Sequence, residues 1–170
     1  KKRLDSPINF AAASWSGLSV DSSNNIYLCG EFSYEWVDSE SLLVKLNENG
    51  DIIWKKTFNG SLSGANSYFN SLTISPSNNI YISFDSNNNT GDISRDTGIV
   101  KINSSGDILW QKIIRGFGTE WPGASIVLDS SENVYFCFRD VVLNSPGNRS
   151  GVGLAKFTSN GDLVYNKHIT

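Results

Sequence analysis

At 170 residues the chain has room for one ordinary domain, and a net charge of −3 with 18% charged residues offers no basic surface for nucleic acid or an anionic membrane. No apolar run approaches the roughly 18 residues that a membrane-crossing helix needs. No Gly-rich phosphate loop, His-Glu zinc motif or close cysteine pair is present, and the single histidine, His168, has no nucleophile or metal partner in view, so no catalytic, cofactor or metal residue is assigned.

The first four residues, Lys1-Lys2-Arg3-Leu4, line up with 55–58, 111–114 and 166–169. They read as the second half of a strand belonging to an earlier unit. With no initiator methionine, the chain reads as a piece of a longer array, or as one whose remnant strand completes a unit in another copy. Residues 1–16 are that remnant and a lead-in, and Trp15 is expected to pack under the first hairpin.

The first unit spans 17–70, with strands expected at 18–20 (A), 26–30 (B), 42–46 (C) and 52–58 (D). Strands C and D are apolar and rich in β-branched residues, and the turn between them, Asn47-Glu48-Asn49-Gly50, ends in glycine. That pattern fits a type I turn closed by a residue at positive φ, where only Gly avoids a Cβ clash. Strands A and B flank a second polar turn in which Asn24 falls at the positive-φ position.

The second unit spans 71–124, with strands at 72–74, 80–84, 98–102 and 108–114, and the third spans 125–170, with strands at 126–128, 134–138, 153–157 and 163–169. The stretch 43–54 returns as 99–110 and 154–165; the stretch 20–27 returns as 74–81 and 128–135, at a constant interval of 54 residues. At the strand D aromatics Trp54, Trp110 and Tyr165 the interval is 56 and then 55, so the loop between the two hairpins absorbs the drift. Asn78 matches Asn24, whereas the third copy has Glu132. Asn tolerates the left-handed region and Glu does so poorly, which predicts a differently bent third turn.

Each copy has apolar residues on both faces of its sheet, and such a sheet must lie between neighbours. Four antiparallel strands in a repeat of about 55 residues mark a β-propeller blade. The expected fold is therefore all-β: residues 1–170 form a single propeller segment of three four-stranded antiparallel blades, part of a larger or oligomeric ring. Three blades leave two apolar faces uncovered, so closure by further blades of a parent chain or by a second copy is expected.

In these residues the chain resembles the bacterial β-propeller repeats whose consensus runs apolar-Asp-x-x-Gly-Asn-apolar-Tyr, then a loop, then apolar-Ala-Lys-apolar-Asn-x-x-Gly-x-apolar-apolar-Trp. The matches are Asp21, Asn25, Ile26 and Tyr27, then Lys45, Asn47, Gly50 and Trp54, with their counterparts downstream. Asn24, Asn78 and Glu132 stand where the family prefers Gly, Ser75 replaces Asp, and Tyr165 replaces Trp. The chain is also similar to quinoprotein propellers, in which a strand D tryptophan four residues after a turn glycine docks on the neighbouring blade. The resemblance implies a fold and a scaffold role, with no shared chemistry and no quinone site.

Repeat-invariant positions report the scaffold, and sites tend to break the repeat. Lys45, Lys101 and Lys156 recur on strand C, and each is expected to pack its stem between blades with the ammonium on a carbonyl or carboxylate. Trp54, Trp110 and Tyr165 are scaffold aromatics, and Asp21 and Asp129 cap their own turn amides. Cys29 and Cys137 lie two units apart, beyond the roughly 7 Å Cα reach of a disulfide, and read as small buried hydrophobes.

The divergent segments are 31–41, 85–97 and 139–152 between strands B and C, and 59–70 and 115–124 between D and A. In a propeller both sets emerge on one face, and Tyr34, Trp36, Tyr68, Trp121, Arg139 and Arg149 are the expected contact residues there. Within 85–96, oxygen-bearing side chains fall at several positions of a calcium loop. Thr90 stands where the sharp turn wants Gly, however, and Asp96 where a longer Glu serves, so no calcium is assigned. The leading functional reading is a non-enzymatic scaffold or interaction module that binds protein partners, a fragment of a larger secreted, cell-surface or virion-associated structural protein. Its alternative is a glycan-binding propeller with Trp36 or Trp121 stacking on sugar rings. An enzyme whose active centre lies in other blades is a third reading.

Overall fold

The structure, a computed structural model, describes residues 12–34, 37–58, 66–87, 95–114, 125–142 and 149–169. Lys1 to Leu4, Trp36, Trp121 and residues 88–94 of the calcium-like stretch lie outside them. Twelve strands form three four-stranded antiparallel sheets. Blade 1 is β1 (Ala12–Val20), β2 (Ile26–Tyr34), β3 (Val37–Leu46) and β4 (Ile52–Phe58). Blade 2 is β5 (Asn66–Ile74), β6 (Ile80–Asn87), β7 (Arg95–Ile102) and β8 (Ile108–Ile114). Blade 3 is β9 (Ser125–Leu128), β10 (Val134–Val142), β11 (Arg149–Phe157) and β12 (Leu163–Ile169). Each is a meander whose neighbours in sequence are neighbours in space. The chain is thus an all-β propeller segment of three blades.

The last strand of each blade has the expected bounds, while strands B and C run several residues further at their shared end. Ladder pairs such as Phe32 with Glu40, Ser86 with Asp96 and Val142 with Arg149 continue where apolar alternation has stopped. Backbone pairing needs no apolar side chain, so the hairpin extends until its turn. The first strand likewise starts early in blades 1 and 2. Trp15, in β1, is 50% exposed rather than packed under a hairpin.

The turns between strands C and D follow expectation. Gly50, Gly106 and Gly161 have φ of 78°, 85° and 85°, and each amide donates to the carbonyl three residues back at 2.9 Å. The Asn47 and Asn103 side chains accept from two backbone amides each, and the Thr158 hydroxyl accepts from the Asp162 amide. In the turns between strands A and B, Asn24, Asn78 and Glu132 have φ of 62°, 62° and 59°. The third turn therefore bends like the others, which corrects the expectation drawn from Glu132. A contact to blade 2, described below, holds that carboxylate in place.

Sheets pack face to face, with β5 against β1, β2 and β3, and β9 against β5 and β6. Between blades 1 and 2, Tyr27, Cys29, Leu43 and Phe58 meet Phe69, Leu72, Ile80, Ile82, Val100 and Ile102. Between blades 2 and 3, Tyr81 and Ile99 meet Ile126, Val134, Phe136, Ala155 and Phe157. Burying each such aliphatic or aromatic side chain is worth roughly 1.5–3 kcal/mol, so the junctions are the core. Within each central strand pair a glycine faces a large side chain: Gly30 faces Leu42, Phe84 faces Gly98, and Phe138 faces Gly153. Blade 1 swaps the two positions, which keeps the layer's volume similar. A Cβ on Gly98 would lie 2.6 Å from Phe84 Cζ.

The two outer faces differ, so the expectation of two bare faces needs correction. On blade 1, Phe32, Leu42, Val44 and Leu46 are buried, while on the same face Leu18 and Val20 of β1 are 67% and 51% exposed. On blade 3, Val127 is 59% exposed, and Tyr135, Cys137, Leu154 and Tyr165 are half-buried. Ile52, Ile53, Leu109, Leu163 and Val164 are exposed at the start of every last strand. There the register slips between Lys45 and Leu46, Lys101 and Ile102, and Lys156 and Phe157, leaving Ile53, Leu109 and Val164 as β-bulge residues outside the ladder.

Gly50 has open space where a Cβ would point, whereas a Cβ on Gly161 would lie 3.0 Å from Trp110 Cδ2 of the preceding blade. Gly50→Ala is expected to cost about 1–2 kcal/mol for the left-handed backbone alone. Gly161→Ala is expected to cost about 1 kcal/mol or more beyond that, because the indole must shift. Urea denaturation of the two variants checks the difference; equal losses would show that the junction does not press on Gly161.

Candidate interaction surfaces

Each blade builds the same polar row where strands B, C and D cross toward the following blade. Tyr27, Lys45 and Trp54 stand in register, as do Tyr81, Lys101 and Trp110, and Tyr135, Lys156 and Tyr165. The ammonium groups lie 5.1, 5.1 and 4.8 Å from the tyrosine ring centroids. The Trp54 and Trp110 rings meet their tyrosines edge-on, at 6.1 and 5.9 Å. Each indole N–H then donates across the junction, Trp54 to the Ser104 carbonyl at 3.3 Å and Trp110 to the Ser159 carbonyl at 3.1 Å. Lys56 adds an ion pair to Asp107 of blade 2 at 2.9 Å.

A carboxylate completes each row, and its source changes. Asp21 Oδ1 accepts from the Ser23 and Asn25 amides at 2.9 Å, and its Oδ2 accepts from the Tyr27 hydroxyl at 3.1 Å. Asp129 serves Ser131, Asn133 and Tyr135 in the same way. Lys45 and Lys156 approach these carboxylates at 3.9 and 3.8 Å, so each lysine has the carboxylate partner expected of it. Blade 2 has Ser75 in this position, whose hydroxyl accepts from the Asn79 amide but reaches neither Tyr81 nor Lys101. The Tyr81 hydroxyl donates instead to Glu132 of blade 3 at 3.3 Å, and Lys101 donates to the Ser159 carbonyl at 3.0 Å. Glu132 also accepts from the Ser77 amide, as Asn78 accepts from Ser22 one junction earlier. Ser75 and Glu132, the two departures from the repeat, are therefore one contact.

Burial pushes the Tyr27 and Tyr81 hydroxyls upward in pKa, and the facing carboxylates add to it. Burial also pushes Glu132 up, but the bonds it accepts from Ser77, Ser75 and Tyr81 outweigh that and hold it below its ordinary value. Asp21 shows the same balance, burial being outweighed by bonds from Asn25, Ser23 and Tyr27. The Cys29 thiol is pushed up to about 12 by burial, consistent with a packing role. Both cysteines are free, but Cys137 is only half-buried, which corrects the reading of both as interior residues.

The end of the blades opposite these turns has a different chemistry. Ser41, Ser67, Ser86, Asp85, Asp96 and Thr97 are buried polar residues there. The Ser41 hydroxyl donates to the Ser67 carbonyl, joining blade 1 to blade 2, and Asn70 donates to Asp85 at 2.8 Å. Of the expected contact residues, Tyr34 pairs with Val37, Tyr68 with Asp85, Arg139 with Val152 and Arg149 with Val142, so these four lie on strands rather than loops. Tyr68 is half-buried and Arg139 exposed. Asp85 pairs with Thr97 and Asp96 with Ser86, which puts the two carboxylates of the calcium-like stretch on opposite faces of the sheet. Among the described residues no group of three or more His, Cys, Asp or Glu converges as a metal site, and no helix is long and apolar enough to cross a membrane.

No protein-family model and no curated protein matches the chain. Among solved structures it is similar to a protein of unknown function from Bacteroides caccae, at 11% identity over 93% of this chain and 68% of that one, with a TM-score of 0.35.

Because the carboxyl groups of Asp21 and Glu132 sit below their unfolded values, their contribution is full above about pH 4.5 and is lost as pH falls through the folded values. Glu132→Gln is expected to cost on the order of 1 kcal/mol at neutral pH and to flatten part of the acid decline in Tm. Ser75→Asp alone should destabilise by crowding two carboxylates on Tyr81, whereas Ser75→Asp with Glu132→Asn should recover stability by recreating the blade 1 arrangement. Thermal melts across pH test this; additive losses in the double variant would disprove the exchange.

Proposed function

We propose that the protein is a non-enzymatic scaffold whose B–C and D–A end binds protein partners. The observation that carries this reading is one blade position on strand B. Glu31, Asp85 and Arg139 occupy it in the three blades, an acid, an acid and a base, while the tyrosine four residues earlier never changes. Invariant Lys, Tyr and Trp residues are used within blades or between them, and variation gathers at the other end, where repeat proteins place their binding residues. The setting that goes with it is a structural part of a larger secreted, cell-surface or virion protein, as read from an Asn-, Ser- and Gly-rich composition. Nothing described favours the glycan alternative, whose Trp36 and Trp121 lie outside the described residues.

A photo-crosslinking aromatic amino acid at Tyr68 tests the reading against the same group at Asn49 in the opposite turn. Protein adducts are expected from position 68 and not from position 49. Equal capture at both ends, or capture from the turn alone, would remove the proposal.

A further inference from the structure

The outward face of blade 3 repeats, in register, the residue set that seats blade 2 on blade 1. In blade 1 the second row of that set is Cys29, Leu43 and Lys56; in blade 3 it is Cys137, Leu154 and Lys167. The junction buries Cys29 and Leu43 completely, whereas Cys137 and Leu154 are half-buried. Blade 1 carries the receiving half. Lys56 covers Gly106, and Lys112 with Trp110 covers Gly161, but nothing lies within 4 Å of the corresponding point on Gly50. Leu18 and Val20, exposed on blade 1, match Leu72 and Ile74, which pack into the first junction.

We propose that blade 3 docks head to tail on blade 1 of a second copy of this chain, and that two copies close a six-bladed ring. The carboxylate arrangement commits the seat to that occupant. Each internal junction supplies one carboxylate to its tyrosine hydroxyl: Asp21 faces Asn78 at the first, and Ser75 faces Glu132 at the second. Blade 3 already gives Asp129 to Tyr135. The incoming turn must therefore bring no second carboxylate, since two sharing one desolvated site would repel. Asn24 of blade 1 meets that condition, and the exposed Ser130 stands where Ser22 stands to donate to it. A second blade 3 would instead present Glu132 against Asp129. Lys167 takes the position of Lys56, and Asp51 that of Asp107, so the inter-blade ion pair has both halves.

The blade number agrees. Propellers close with about 4–8 blades, a range that excludes three and includes six. A head-to-tail contact that closes gives a discrete ring; one that fails to close gives a filament.

The proposal rests on the blade scaffold of the preceding reading but not on its loop-end partner. Sedimentation velocity of the chain, from dilute to concentrated solution, is expected to show a species of twice the chain mass. Thiol labelling should modify Cys137 in dilute solution and spare it in the dimer, with Cys29 spared in both. Leu18→Asp and Lys167→Glu should each give monomers of unchanged circular dichroism, and Lys167→Glu combined with Asp51→Lys should restore the dimer. A monomer at every concentration, open filaments, a dimer that both single variants leave intact, or a dimer with reactive Cys137 overturns the proposal. None of these results depends on crosslinking from position 68, so the two readings fail separately.

Discussion

No sheet in this protein has an interior of its own. Its apolar side chains project from both faces of a single four-stranded layer and stay dry only against another layer, so the core exists between blades and not within them. The invariant polar residues follow from that constraint. A tyrosine hydroxyl and a lysine ammonium enter the gap between sheets, where each needs a partner. The turn aspartate, the aromatic ring and the neighbouring turn carbonyl supply them. Apolar burial provides most of the energy, and the polar row fixes the height at which one blade sits on the next.

Much of this was legible in the residues. The twin turn motifs, the strand D bounds, the lysine partners and the docking tryptophans follow from period, turn chemistry and the need to bury two faces. What was not legible lies in contacts between copies or between strands. Ser75 and Glu132 read separately as two defects, because a residue-by-residue alignment of repeats cannot show that one compensates the other across a junction. Gly30 with Leu42 against Phe84 with Gly98 hid for the same reason, since only the pair conserves volume. The long B–C hairpins were missed because ladder pairing among Ser, Glu, Asp and Asn leaves no apolar period to find.

The two ends of the blades divide the work of the chain. Tight turns with fixed glycines hold one end, and their side chains are used in capping and in reaching the next blade. At the other end, buried serines and acids hold strands together without apolar cover, and the residue types vary from blade to blade. Such a region can change its surface sequence without disturbing the junctions beneath it.

The bulges at Ile53, Leu109 and Val164 bear on a hazard common to stacked sheets. Each last strand ends a ladder and carries exposed aliphatic side chains, a combination that invites pairing with a stray strand and growth into amyloid-like fibres. An extra residue in the outermost strand breaks the even spacing of its free amides and carbonyls and increases its twist. A flat template is thereby denied to an approaching chain, and the protein can keep an oily rim without inviting cross-β assembly along it.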